Sequence, residues 1–349
     1  MRHKKTSGSS LGPDEAPPHG PIHRVVQLDL DELTAGTIHR INLELVADGL
    51  GNDMLVPILV AKGRHPGPVY GITAAVHGNE LNGIAVIHDV FSRLDPRHLR
   101  GTIVGVVCVN LPGLHRHQRQ FYGQFDLNHL FPGRADGHIA EVYANRLLTR
   151  IVDHFDRLID LHTASFGRVN SLYVRADLND PRTKKMAFLQ RPEIIVHNPA
   201  SDHTLRGAAM ERGIPAITVE IGDPQRFQPR YIRHARQGLR ALFSELGMIP
   251  TRASSTERAA PVICTRSRWL YADRGGILDV LVRPTDRVAE GQEIAVLRNA
   301  FGDITRRYHA PHDGIVIGNS VNPIGATGSR ILHLGEIAPP DHPFCEPPP

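Results

Sequence analysis

Apolar positions along this chain change their spacing in a regular order. Residues 24–60 hold three β-like runs, "HRVVQLDL", "IHRINLELVADG" and "DMLVPILVAKG". From residue 68 the pattern becomes strand, helix, strand: "VYGITAAV", "GIAVIHDVFSRL", "GTIVGVVCVN". The strands are short, apolar and rich in β-branched residues, whereas the helix carries its apolar residues at three- and four-residue spacing. A long loop follows, "LPGLHRHQRQFYGQFDLNHLFPGR", of a length that usually serves function. A helix ("IAEVYANRLLTRIVDHF") and a strand ("RLIDLHT") come next. The strands "PEIIVHN" and "PAITVEIG" then alternate with helices near "TLRGAAMERG" and "YIRHARQGLRALFSELG". This alternation predicts an α/β sheet with helices on both faces.

The pattern breaks at "MIPTRASSTERAAP", a polar stretch read as a linker. Beyond it, "WLYADRGGILDVLVRPTDRVAEGQEIAVLRN" and "YHAPHDGIVIGN" are short strands punctuated by Gly and Pro, predicting a small all-β module. The expected organisation is a flexible leader (1–22), an α/β domain (23–250) and a linker (251–260). A β-rich module (261–338) and an extended Pro-rich tail (339–349) complete it.

Composition narrows the function classes. A chain of 349 residues with 41% apolar content can bury an ordinary core. The charge is 40 − 36 = +4 with signs mixed, so nucleic acid is not an expected partner. No apolar stretch approaches the roughly 18 residues of a membrane span, and the leader has no apolar signal core. Cys108, Cys264 and Cys345 are odd in number and far apart, which disfavours a disulfide framework or thiolate zinc site and fits a reducing cytoplasm. Cys108 sits in an apolar strand pattern and reads as a packed core thiol.

The chemistry concentrates at strand ends. "AAVHGNELNG" places His77 and Glu80 three apart where a strand gives way to a helix, with Gly78 easing the turn. Ligands bind at that edge of open α/β sheets. His162 ends another strand, "RLIDLH", and is a candidate third metal ligand; catalytic zinc commonly takes three protein ligands from His and carboxylate. Asp160 alternates onto the same face and can steer that histidine. H-x-x-E alone is a pattern that chance produces, and its position gives it weight. Glu220, inside the apolar run "PAITVEIG", is either a proton-transferring base or the structural partner of an arginine. In the long loop, Arg116 and Arg119 are available to polarise a carbonyl, with a solvated role preferred for Arg116. Asn128 is available to donate to a substrate carboxylate. His115 and His117 read as solvated loop residues. No G-x-S-x-G elbow, H-E-x-x-H, P-loop or dinucleotide fingerprint is present.

"HGNE", "FDLNHLFPG", "DLHT" and "TVEIG", in this order, resemble the succinylglutamate desuccinylase/aspartoacylase family, a branch of the zinc carboxypeptidase-like hydrolases. The resemblance covers roughly residues 50–338 and includes a C-terminal module similar to a biotinyl/lipoyl-type barrel, without an attachment lysine. It implies a mixed sheet flanked by helices and a small C-terminal barrel-like module. It also implies a zinc-dependent deacylase acting on a small N-acyl substrate, with one Zn2+ per chain held by His77, Glu80 and His162. Glu220 would be base and then acid, Arg119 would polarise the carbonyl, and Asn128 would contact the substrate. His129 stands where the family pattern has Arg, so either the substrate lacks the usual carboxylate or Arg168 in "SFGRVN" takes over its recognition. A zinc carboxypeptidase or peptide amidase, or a non-catalytic relative that binds without turnover, are the alternatives. A homo-oligomer is compatible with the sequence.

Overall fold

The structure is a computed structural model that describes residues 20–199, 203–251 and 259–348. The leader up to residue 19 and linker residues 252–258 lie outside the described residues.

The first strand, β1 (Ile22–Val25), is shorter than its apolar run. The chain then bends where Asp29 Oδ1 accepts from the backbone of Asp31, 2.9 Å, although Leu28 and Leu30 stay in the core. β2 (Thr37–Ala47) and β3 (Asp53–Lys62) form an antiparallel hairpin. Its turn is closed by Asp48 Oδ1, which accepts from the Leu50 and Asn52 amides at 2.8 and 2.9 Å. β4 (His65–Ala74), α1 (Asn82–Phe91) and β5 (Arg100–Val106) are the strand–helix–strand of the sequence pattern. The long loop holds only a short helix, α2 (Leu111–His115), and isolated single turns before α3 (Ile139–Arg150). β6 (Arg157–His162), β7 (Arg168–Asn170) and β8 (Leu172–Ala176) follow. Next come α4 (Pro181–Leu189), β9 (Ile194–His197), α5 (Leu205–Glu211), β10 (Ala216–Ile221) and α6 (Pro229–Glu245).

These strands form a mixed sheet in the order β1-β2-β3-β5-β4-β6-β10-β8-β9. β5, β4, β6 and β10 are mutually parallel, so their C-terminal ends lie along one edge. Every residue of β10 is buried, as are the last five of β6, which is what a parallel sheet covered on both faces requires. One covering layer is α1, α4 and α6; α6 buries Ala235, Gly238, Leu239, Leu242 and Phe243, a helical stripe. The other is α3 and α5, through residues such as Tyr143, Leu147, Leu205 and Ala209.

The C-terminal residues form β11 (Val262–Tyr271), β12 (Gly276–Val280), β13 (Arg287–Val288), β14 (Glu293–Arg298) and β15 (Ile304–His309). β16 (Gly314–Ser320), β17 (Ile324–Gly325) and β18 (Arg330–Ile337) complete them. No helix occurs among the described residues from 259 to 348, as the strand pattern implied. β11, β18, β16 and β13 continue the large sheet, because β11 pairs in parallel with β9. β7 also leaves its neighbours and pairs with β16, setting Ser320 opposite Arg168. The remaining strands make a four-stranded sheet, β15-β14-β12-β17. Leu278, Ile294 and Leu297 of that sheet share a core with Val316, Leu332 and Leu334 of the large one. The module is thus joined to the α/β part by backbone hydrogen bonds as well as by sequence.

The tail departs from the expected extended form. It runs through turns, and Phe344 packs on the His197 ring with centroids 4.6 Å apart. Lys184 Nζ donates to the Pro343 carbonyl at 2.8 Å. One aromatic residue with a surface to cover outweighs the stiffness of the prolines around it.

Candidate active site

The parallel edge carries the site. β4 ends in a kink at Ala75, whose φ of 52° lies in the left-handed region where a non-glycine residue is strained. The kink is held by the β5 side: the Val109 and Asn110 amides both donate at 2.9 Å, to the Ala74 and Ala75 carbonyls. Asn110 Nδ2 donates to the Val76 carbonyl at 3.1 Å. A tight turn follows, with the Glu80 amide donating to the His77 carbonyl at 3.1 Å. Gly78 serves this turn through space and not through φ. A Cβ there would stand 2.0 Å from the Gly113 carbonyl carbon, so the turn packs directly on the α2 backbone. Asn82 ties the start of α1 to the end of β10, donating to the Ile221 carbonyl at 2.7 Å.

His77, Glu80 and His162 are brought together and are almost wholly buried. The Glu80 carboxylate lies between the imidazoles, with Oε1 2.9 Å from His77 Nδ1 and Oε2 3.0 Å from His162 Nδ1. The two Nδ1 atoms are 3.2 Å apart. Each ring presents its other nitrogen to a carboxylate: His162 Nε2 is 2.7 Å from Asp160 Oδ2, and His77 Nε2 is 3.1 Å from Asp126 Oδ1. Asp160 is itself fixed by Thr73 Oγ1, which donates to its Oδ1 at 2.6 Å. A carboxylate that accepts from Nε2–H leaves the Nδ1 lone pair free to ligate. Two such lone pairs and a carboxylate converge, and this N/N/O donor set fits a divalent ion with an open fourth position.

Burial pushes the Glu80 carboxyl up, but the two imidazoles outweigh it and hold it well below the usual carboxylate range. Burial pushes His162 down, but Asp160 and Glu80 outweigh it and hold it well above its ordinary value.

Arg119 is anchored at the rim of this cluster. Its Nε donates to Asp126 Oδ2 at 2.9 Å and its Nη1 to Glu80 Oε1 at 3.2 Å and to Ser165 Oγ. Glu220 is opposite His162 in the β10–β6 register, which puts its carboxylate beside the cluster. Its Oε2 accepts from Asn170 Nδ2 at 3.1 Å, and Oε1 stands 3.8 Å from Arg175 Nε. Glu220 thus faces an arginine and lines the cavity. Burial pushes its carboxyl up, against Arg175 and His162.

The cavity over these residues has a volume of about 370 Å³ and is lined also by Asn128, His129 and Arg168. Asn128 Oδ1 accepts from the Leu205 amide at 2.9 Å. The His129 side chain is 66% exposed, 3.8 Å from Asp126. His115 and His117 are outside the lining, and Arg116 stacks on Tyr122 at 4.9 Å, in keeping with solvated-loop roles. A larger cavity of about 630 Å³ lies at the opposite sheet edge, lined by Lys62, His65 and Gly101; among the described residues the only convergent ligand group is the one at His77, Glu80 and His162.

Asp126, Ser165 and Asn170 were given no role by the sequence reading, although each lies inside a quoted segment, "FDLNHLFPG" or "SFGRVN". Arg175, Arg206, Trp269 and Arg330 also line the cavity. Arg206 alone carried a signal, a charge inside the apolar face of a helix, and it is buried with Nη2 2.7 Å from Asn198 Oδ1.

Residues 66–246 match the succinylglutamate desuccinylase/aspartoacylase catalytic domain. The chain is 24% identical over 302 residues to the N-alpha-acetyl-L-2,4-diaminobutyric acid deacetylase of Halomonas elongata, covering 81% of this chain and 86% of that protein. A succinylglutamate desuccinylase/aspartoacylase structure from Rhodobacter sphaeroides superposes with a TM-score of 0.80 at 22% identity, covering 89% of this chain and 98% of that one. The product-bound ectoine utilization protein EutE of Ruegeria pomeroyi superposes with a TM-score of 0.78 at 18% identity, covering 86% and 95%.

Proposed function

Because the chain belongs to the succinylglutamate desuccinylase/aspartoacylase family, a family of deacylases, we propose that it is a zinc-dependent hydrolase of a small N-acylated amine or amino acid. The observation that carries this is the convergence of His77 Nδ1, His162 Nδ1 and Glu80, with Glu220 in the adjoining register position. His77, Glu80 and His162 would hold the ion. Zinc at such a donor set polarises a carbonyl and makes water acidic enough to attack at neutral pH.

The chain's own residues do the rest. Glu220 accepts a proton from the attacking water and delivers it to the leaving nitrogen; its burial raises its proton affinity toward that of a working base. Asn170 fixes one carboxylate oxygen, and the other faces Arg175 at 3.8 Å. Arg119, held by Asp126 and Glu80, offers its guanidinium to the carbonyl oxygen as negative charge develops. Asn128 and His129 contact the substrate at the mouth, and Arg168 takes the carboxylate that an arginine at position 129 would otherwise grip. Residues 23–250 form the catalytic region and 261–338 a packing module. Three free thiols fit a reducing, cytoplasmic setting, and no helix of the described residues is long and apolar enough to cross a membrane.

The test is a panel of N-acetyl, N-succinyl and N-formyl amines and amino acids, N-acetyl-2,4-diaminobutyrate included, alongside dipeptides, with metal analysis of the same sample. Release of amine from an N-acyl compound at about one zinc per chain supports the proposal. Preference for dipeptides replaces it with a peptidase. In Glu220→Gln, turnover falls by roughly 10²–10⁴ with metal retained; wild-type turnover in that variant refutes the role of Glu220.

A further inference from the structure

Five arginines line the active-site cavity: Arg119, Arg168, Arg175, Arg206 and Arg330. Three are engaged. Arg119 holds Asp126 and Glu80, Arg175 donates to the Tyr173 hydroxyl at 2.7 Å, and Arg206 is bonded to Asn198. The guanidiniums of Arg168 and Arg330 differ. Among the described residues, no hydrogen bond or ion pair reaches either; both lie over one indole, with guanidinium carbons 5.4 and 5.1 Å from the Trp269 ring centroid.

The arrangement is built from both parts of the chain. Arg168 opens β7, and its backbone is paired with Ser320 of β16 in the C-terminal module. Trp269 and Arg330 come from β11 and β18 of that module. The indole is backed by His333, stacked at 4.9 Å and 11°, whose Nε2 is 2.8 Å from Ser267 Oγ. Stacking orients the two cations and leaves their N–H edges unspent. It does not neutralise them: two like charges share one ring, and partly buried Arg168 is pushed below its ordinary value by burial and then by Arg330 and Arg119, which outweigh Glu80 and Glu220. An incoming anion relieves this repulsion and satisfies the free donors together. A carboxylate matches the planar forks.

We propose that Arg168 and Arg330, held on Trp269, form a carboxylate subsite across the seam between the catalytic region and the C-terminal module. The module is then part of the binding site, and Arg330 is a specificity-determining residue that the catalytic region does not supply. Only the identification of this carboxylate as the substrate's own rests on the deacylase reading.

Trp269 is the single tryptophan of the chain, so its emission reports on the subsite directly. The metal-loaded full-length protein is titrated with succinate and, at matched ionic strength, with succinamide. The expected result is a saturable emission change with succinate and none with succinamide. Arg330→Gln, at an exposed strand start, and Arg168→Gln each raise the apparent Kd about tenfold or more, with the thermal midpoint kept. A flat succinate titration, an equal response to succinamide, or an Arg330→Gln protein that titrates like wild type overturns the subsite. A protein that responds as expected yet hydrolyses none of the N-acyl panel keeps the subsite and loses the deacylase reading. A protein that hydrolyses the panel with a flat titration loses the subsite alone.

Discussion

Asp160→Asn changes one buried oxygen for an amide nitrogen and tests how the site prepares its ligands. In the native protein Asp160 Oδ2 is 2.7 Å from His162 Nε2, while Oδ1 accepts from Thr73 at 2.6 Å. The carboxylate can only accept, so it holds the proton on Nε2 and keeps Nδ1 a ligand. Asparagine has one acceptor and one donor end. If its nitrogen faces the ring, the tautomer reverses and the proton sits on Nδ1, pointing at the ion. If its oxygen faces the ring, a charge-assisted bond worth about 1.5–3 kcal/mol becomes a neutral one worth about 0.5–1.5. The smaller loss is then about 1–1.5 kcal/mol, close to tenfold in a binding constant. The flipped arrangement costs more, so zinc affinity falls by roughly 10–100-fold, as for other residues that orient metal ligands. The assay is competition for zinc against a calibrated chelator, with circular dichroism and Tm as controls for folding. Thr73→Val leaves the negative charge in place and weakens binding less. A folded Asp160→Asn protein with wild-type zinc affinity would refute the claim that this carboxylate sets the ring.

Gly78→Ala forces a methyl to within 2.0 Å of the Gly113 carbonyl carbon. The resulting strain is about 1–3 kcal/mol or more, and a shift of His77 and Glu80 near 1 Å lowers kcat by about 10²-fold; scanning calorimetry and kinetics check both, and a wild-type Tm and rate count against the tight packing. Burial pushes the Cys108 and Cys264 thiols up to about 12 each, whereas Cys345 is partly exposed. An aromatic disulfide reagent at pH 8 therefore titrates one fast thiol in the native protein and all three after denaturation; three fast native thiols contradict the buried placements. His129→Arg puts a permanent charge at the cavity mouth, so KM for carboxylate-bearing N-acyl substrates falls several-fold while neutral ones are unchanged; equal KM values for both classes remove His129 from substrate recognition.

The His77, Glu80 and His162 cluster was legible in the sequence because these residues follow or close strands that hydrophobic spacing reveals. His77 and Glu80 follow one apolar run, His162 closes another, and Asp160 is on its face by simple alternation. Glu220 was visible as a charge inside an apolar strand, although only the β10–β6 register decided that it stands beside His162. Gly78 was noticed for the wrong reason, since its constraint is the neighbouring α2 backbone, which local sequence does not contain. The fold class and the all-β end of the chain were readable for the same reason as the ligands: periods of two and near four residues are local properties. What local pattern cannot carry is which distant segments meet. Asp126 behind His77, β7 leaving its neighbours to pair with β16, and Arg168 and Arg330 converging on Trp269 from strands about 160 residues apart all depend on sheet order and long-range register. The sequence by itself determined the elements and the residue types of the candidate metal site; the tertiary structure decided the cavity they share, because its walls are contributed by backbone pairings between segments with no common local signal.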